Sequence, residues 1–149
     1  MQPMMFINVP TRDLSAADSF YGALGFEKNP VFSNEEASCW KISETLFVMV
    51  LHEEFYSSFL RDGDTPNLRS QQIGSLHALM LGSAEEVEEM AQRAVKGGGS
   101  IYRPVEQPME GMVDAAVKDP DGHVWELGWM DPDLAQPGGD AHTDAQAGE

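Results

Sequence analysis

The chain has one cysteine, Cys39, in 149 residues, and no run that approaches the ~20 apolar residues of a membrane span. A lone thiol cannot close an intramolecular disulfide, so a packed core has to hold the fold. Between Ser38 and Trp40, in a strand-like run, Cys39 reads as a small buried side chain rather than a nucleophile. Bases are also scarce. Nine Lys and Arg stand against 25 Asp and Glu, a net charge of −16. That balance excludes nucleic acid, whose phosphates need clustered cations, and it disfavours anionic membranes. The opening Met1-Gln2-Pro3-Met4-Met5 has neither a basic region nor a long apolar stretch, so a cytoplasmic location is expected. Residues 131–149 hold five acids, no base and few apolar side chains, which predicts a flexible acidic tail. Residues 1–130 are left as one domain, and the 42% apolar content of the chain suffices for its core.

What the sequence does contain is one unit written twice. Met5 to Val9 alternates as a strand and stops at Pro10. Asp13 and Ser15 then offer caps to a helix whose apolar positions, Leu14, Ala17, Phe20 and Leu24, recur at helical spacing until Gly25. Strands are expected near Phe26 to Phe32, at Ala37 to Ile42 and at Leu46 to His52. From Ser75 the order returns. Leu76 to Leu81 reads as a strand, Ser83-Ala84-Glu85-Glu86 as a capping box, and Val87, Met90, Ala91, Ala94 and Val95 as the apolar stripe of a helix closed by Gly97-Gly98-Gly99. Strands near Ser100 to Arg103, Met112 to Lys118 and His123 to Trp129 complete the set. An offset of about 71 places Phe6 on His77, Val9 on Met80 and Leu24 on Val95.

The duplication predicts an α+β fold of two paired βαβββ modules, about 3–52 and 75–130, joined by a helical or loop insert at 53–74. A helix covers one face of each module's strands, and the other faces enclose a cleft. In the insert, Phe55, Tyr56, Phe59 and Leu60 form an apolar stripe that either packs on the body or a dimer partner or covers the cleft as a lid. Met109 and Met112 either fill the core or form the opposite wall. Near the C-terminus, Asp119-Pro120-Asp121-Gly122 is strong turn chemistry, and the strand after it carries one acid, Glu126. Glu126 is either a solvated strand acid or a carboxylate aimed into the cleft.

Three passages resemble the vicinal oxygen chelate superfamily, which includes glyoxalase I, bleomycin-resistance proteins and extradiol dioxygenases. They are Phe6 to Leu14 followed by Phe20-Tyr21-Gly22-Ala23-Leu24-Gly25-Phe26, then Gly74 to Leu79, then Asp119 to Leu127. The resemblance implies a homodimer and a cleft with a divalent metal held from four strands, at positions that fall on Phe6, Val50, His77 and Glu126. His77 and Glu126 suit Zn, Ni, Mn or Fe, whereas Phe6 and Val50 carry no donor. His52 shares the facing of Val50 but lies about 6.5 Å further along the strand, a distance that a metal bond of ~2.1 Å does not absorb. His123 reads as a turn residue, and His142 belongs to the tail. The implied function is binding of a small organic molecule in an aromatic-lined cleft, with an incomplete metal site and with Phe6, Asn8, Val50, Phe55, Phe59, His77, Leu79 and Met112 as lining. The alternative is a metal-dependent lyase, isomerase or dioxygenase in which His77, Glu126 and His52 bind the ion and Glu126 doubles as the base.

Overall fold

The computed structural model describes residues 1–135. The first module runs β1 (Met5–Thr11), α1 (Leu14–Ala23), β2 (Glu27–Asn29), a 3₁₀ turn (Pro30–Phe32), β3 (Ala37–Lys41) and β4 (Leu46–His52). A short helix, α2 (Glu53–Ser57), opens the insert. The second module runs β5 (Leu76–Met80), α3 (Ala84–Lys96), β6 (Ser100–Met109), β7 (Met112–Lys118) and β8 (Val124–Met130). From residue 136 the expected flexible tail lies outside the described residues, while Pro132–Ala135 form a helical turn, α4.

Both long helices start on the side chains that the sequence offers. Asp13 accepts from Ala16 N at 3.1 Å, and Ser83 accepts from Glu86 N at 3.2 Å. Glu86 reaches back to Gly82 N at 3.0 Å, so the capping box closes one residue earlier than its usual partner. Acids in the first turn of α3 and bases in its last turn complement the helix dipole.

The strands form two four-stranded sheets in the orders β1-β4-β3-β2 and β5-β8-β7-β6. In each sheet the first pair is parallel and the others are antiparallel. Strand β6 is longer than its expected Ser100–Arg103, because Pro104 and Pro108 are tolerated on an edge strand interrupted by register shifts. Strand β2 is shorter, since Pro30 starts the 3₁₀ turn.

The modules match at an offset of 70 (83 − 13) rather than 71. At 70 the two N-caps coincide, Asp13 with Ser83, and the buried helix positions pair as Ala17 with Val87, Phe20 with Met90, Tyr21 with Ala91 and Leu24 with Ala94. The offset of 71 had set buried Leu24 on Val95, which is exposed. One core serves both modules. Val9, Trp40, Val48 and Val50 of the first sheet and Ala115, Val117, Trp125 and Leu127 of the second pack around α1 and α3. Gly99 permits the junction, because a Cβ there would stand 2.5 Å from the Phe20 ring.

The Asp-Pro-Asp-Gly turn joins the modules. Gly122 N bonds Asp119 O at 3.0 Å, and Gly122 holds φ +93. The buried Asp119 carboxyl accepts from Tyr21 OH at 2.7 Å and from the backbone N–H groups of Asp121 and His123, while Trp125 Nε1 donates to the Tyr21 oxygen at 3.2 Å. Burial raises the pKa of both Asp119 and Tyr21, and for Tyr21 the neighbouring Asp119 adds to the rise. Outside the core, Asp121 accepts from Thr11 Oγ1 and Arg12 N, and His123 Nε2 donates to the Pro10 carbonyl at 2.7 Å. The hairpin turn of the second module thus grips the end of β1.

Candidate functional site

Strand alternation decides what each face carries. In the first sheet Phe6 and Asn8 point away from the helices, and the Phe6 ring stacks on Phe47 at 4.7 Å. Val50 pairs with Val9 on the helix-facing side and is 1% exposed, which corrects its expected place in the cleft. His52 has the parity of Val50, pairs with the buried Thr11 and stands at the N-cap of α2. It therefore does not reach the open face.

In the second sheet His77 pairs with Trp125, and their ring centroids lie 5.0 Å apart. Leu79 pairs with Leu127 and packs against the core on the same face. Glu126 pairs with Ala78 and Ala116, so it points the other way. The expected convergence of His77 and Glu126 is thus corrected: they flank different faces of one sheet and cannot share an ion. The cause is the repeat offset, because a one-residue slip exchanges the faces of a strand. At an offset of 70 the β5 residue opposite Phe6 is Leu76, exposed and without a donor. Among the described residues no three His, Cys, Asp or Glu side chains gather as a metal cage. The residues present do not fit a divalent ion.

Glu126 has another partner. Arg103 Nη2 donates to Glu126 at 2.7 Å, and Nη1 donates to Asp114 at 2.8 Å. Arg103, Ala116 and Glu126 stand in one cross-strand row, and the small Ala116 side chain between them lets the guanidinium cross β7. Charge-assisted bonds of this kind fix the Glu126 carboxylate on the open face. The sequence hid this arrangement, because Arg103 stands just before Pro104 and reads as the end of a strand.

Two cavities meet beside Asn8, one along the seam between the modules and one between the open face of the first sheet and the insert. One, of about 290 Å³, is lined by Asn8, Tyr56, Gln72, His77, Lys118 and His123 among others. A second, of about 340 Å³, is lined by Asn8, Leu51, Tyr56, Phe59 and Leu60. Asn8 and Tyr56 border both, which makes a cleft with a polar end and an apolar end. His77 reaches the polar end from its place beside Trp125, with Nε2 3.4 Å from Ser75 Oγ. Burial, then the nearby His123, lowers its pKa.

The insert forms the apolar end. Helix α2 stops at Ser57, shorter than the expected stripe, and the Ser57 and Ser58 hydroxyls bond back to the carbonyls of Glu53 and Phe55. Phe59 lies beyond the helix, 67% exposed, with its ring 5.2 Å from that of Phe55. Phe55 itself does not line either cavity. Arg69 donates two bonds to Glu53, at 2.8 and 3.1 Å, and closes the insert on itself. Met112 lies on the open face of the second sheet, opposite Met130 and away from the seam. Tyr56, Gln72, Lys118 and His123 were not among the expected lining. The only signal for Tyr56 was its place in the aromatic stripe, and the others come together through the tertiary fold.

Two βαβββ modules, each with one helix-covered face and one open face, define a class of proteins that build clefts between paired sheets. The chain belongs to the Glyoxalase/Bleomycin resistance protein/Dioxygenase superfamily, whose family profile matches residues 4–127. A glyoxalase-related enzyme from Fulvimarina pelagi is similar at 27% identity with a TM-score of 0.69, covering 87% of this chain and 88% of that one. A hypothetical protein from S. aureus (22%, TM-score 0.70) and a lactoylglutathione lyase from Agrobacterium tumefaciens (19%, TM-score 0.61) share the fold; each alignment covers 87% of this chain and 94% of theirs. No curated protein matches the sequence. No helix among the described residues is long and apolar enough to cross a membrane.

Proposed function

We propose that the protein binds a small amphipathic organic molecule, without a divalent metal, in the seam cleft between its modules. The observation that carries this reading is the meeting of two unlike cavities at Asn8 and Tyr56. Tyr56, Phe59, Leu60 and Leu51 offer an apolar end, while Gln72, His77, Lys118 and His123 offer hydrogen bonds and the potential for positive charge. Such a division orients a ligand, because its apolar body and its polar group each have one favourable place. Phe59, half outside the cavity and on irregular chain, is placed to close over the apolar body as a lid. Glu126 contributes a charge-compensated carboxylate to the neighbouring open face rather than a metal ligand or a free base. The working form in this reading is a cytoplasmic homodimer, for which the exposed Met4, Met5 and Phe6 along the β1 edge supply apolar surface.

The test is thermal stabilisation of EDTA-treated protein by a panel of aromatic acids and amines. Stabilisation that persists in EDTA and is lost in Asn8→Ala and in Tyr56→Ala supports the reading. Stabilisation that appears only after Zn, Ni, Mn or Fe is added, or that both variants retain, contradicts it.

A further inference from the structure

The open face of the second sheet carries a row of thioethers away from the seam. Met109 pairs with Met112 across the β6–β7 hairpin, and Met112 pairs with Met130 across β7 and β8. Register partners share a face, so the three side chains stand side by side on adjacent strands. A fourth approaches from β5, where Met80 pairs with Gly128, two residues from Met130 and on the same face. Its sulfur lies 2.9 Å from the point where a Cβ on Gly128 would stand, and its methyl lies 3.3 Å from it. Met80 thus lies flat across β8, and only glycine at 128 leaves it that seat.

Methionine commonly fills irregular core gaps. Two observations argue against that role here. Met80 is 58% exposed and Met109 49% exposed, so neither fills a core. Glycine inside a strand is destabilising relative to alanine and marks close approach of another group. The thioether is a neutral, soft donor that needs no deprotonation, and several of them together select monovalent soft cations over Zn, Mn or Mg. Asp114 and Glu126, two acids of this face, are both engaged by Arg103. A net charge of −16 raises the local concentration of any cation. Met130 lies four residues from Glu126, about 13 Å along the strand, while Asp114, which pairs with Gly128 beside Met80, has its carboxylate held by Arg103.

We propose that Met80, Met112 and Met130, with Met109 as a further donor, form a binding site for Cu(I). This inference is independent of the ligand proposed for the seam cleft, since no methionine of the row lines it.

The experiment is an anaerobic titration of the full chain with Cu(I) against bicinchoninate, with X-ray absorption on the loaded protein. The site predicts withdrawal of one equivalent and a first shell of sulfur alone. Met112→Leu/Met130→Leu, which nearly conserves volume, should weaken binding at least tenfold, and Gly128→Ala should weaken it by displacing Met80. Cys39→Ala should leave it unchanged, because that thiol is fully buried. No withdrawal of copper, a shell containing nitrogen or oxygen, or unchanged affinity in the double methionine variant would each overturn the proposal.

Discussion

The two modules share an element order, a pairing scheme and the positions of their helix caps, yet their open faces carry opposite chemistry. On the first sheet Phe6 stacks on Phe47, and α2 with the segment after it lies over Asn8 and Leu51. On the second sheet an arginine joins two acids beside a bare row of methionines. The helix-facing sides are alike instead, each with small and branched side chains and one tryptophan packed around α1 and α3. Duplication therefore preserves what the core demands, because volume and parity are constrained there. The open faces are free to diverge.

The comparison can be broken most strongly at the joint. Asp119→Ala removes the acceptor of the buried Tyr21 OH and of two part-buried backbone N–H groups. Leaving buried donors unpaired costs about 1–3 kcal/mol each, so urea unfolding should show a loss of about 3 kcal/mol in one cooperative transition. Separate transitions for the two modules would show that they do not share one core.

His77 sharpens the comparison through pH. Its lowered pKa means that the unfolded chain binds a proton more readily than the fold does. The stability it contributes is therefore present above the reference value of 6.5 and is lost as pH falls through the lower folded value. His77→Phe keeps a ring against Trp125 and should lose less stability than wild type as pH drops below 6.5. Asp119 works in the other sense, since its raised pKa favours the fold as pH falls toward 3.8. It is present in both proteins, so the difference between the two curves isolates His77. Parallel curves would place His77 in solvent.

The smallest expected effect is at Arg103. Arg103 and its partners remain about one-third exposed, so Arg103→Met should shift stability by no more than about 1 kcal/mol. With the guanidinium gone, Asp114 and Glu126 lose their shared cation, and added divalent ions should stabilise the variant more than wild type in a thermal melt. Equal responses would mean that Arg103 does not hold those carboxylates.

Most of the fold was legible because its signals are local. The caps Asp13 and Ser83, the Gly-closed helices and the Asp-Pro-Asp-Gly turn each act within a few residues. The site was less legible for two reasons. Facing depends on register to a single residue, and Phe6 with His77 made a plausible alignment that was one residue out, which carried His77 and Leu79 to the wrong face. Val50 and His52 were misplaced by the same parity. The other reason is distance in sequence. Arg103 reaches Glu126 over two strands, and Tyr56, His77 and His123 meet at a seam that only tertiary packing creates.

His77 and Glu126 lie on opposite faces of the second sheet, which leaves them unable to share a divalent ion. Calorimetric titration of EDTA-treated protein with Zn(II), Ni(II), Mn(II) and Fe(II) tests it most directly. No stoichiometric binding is expected, with titrations that His77→Ala and Glu126→Gln leave unchanged. One equivalent of tightly bound ion, lost in both variants, would require the two side chains to share a face and would contradict it.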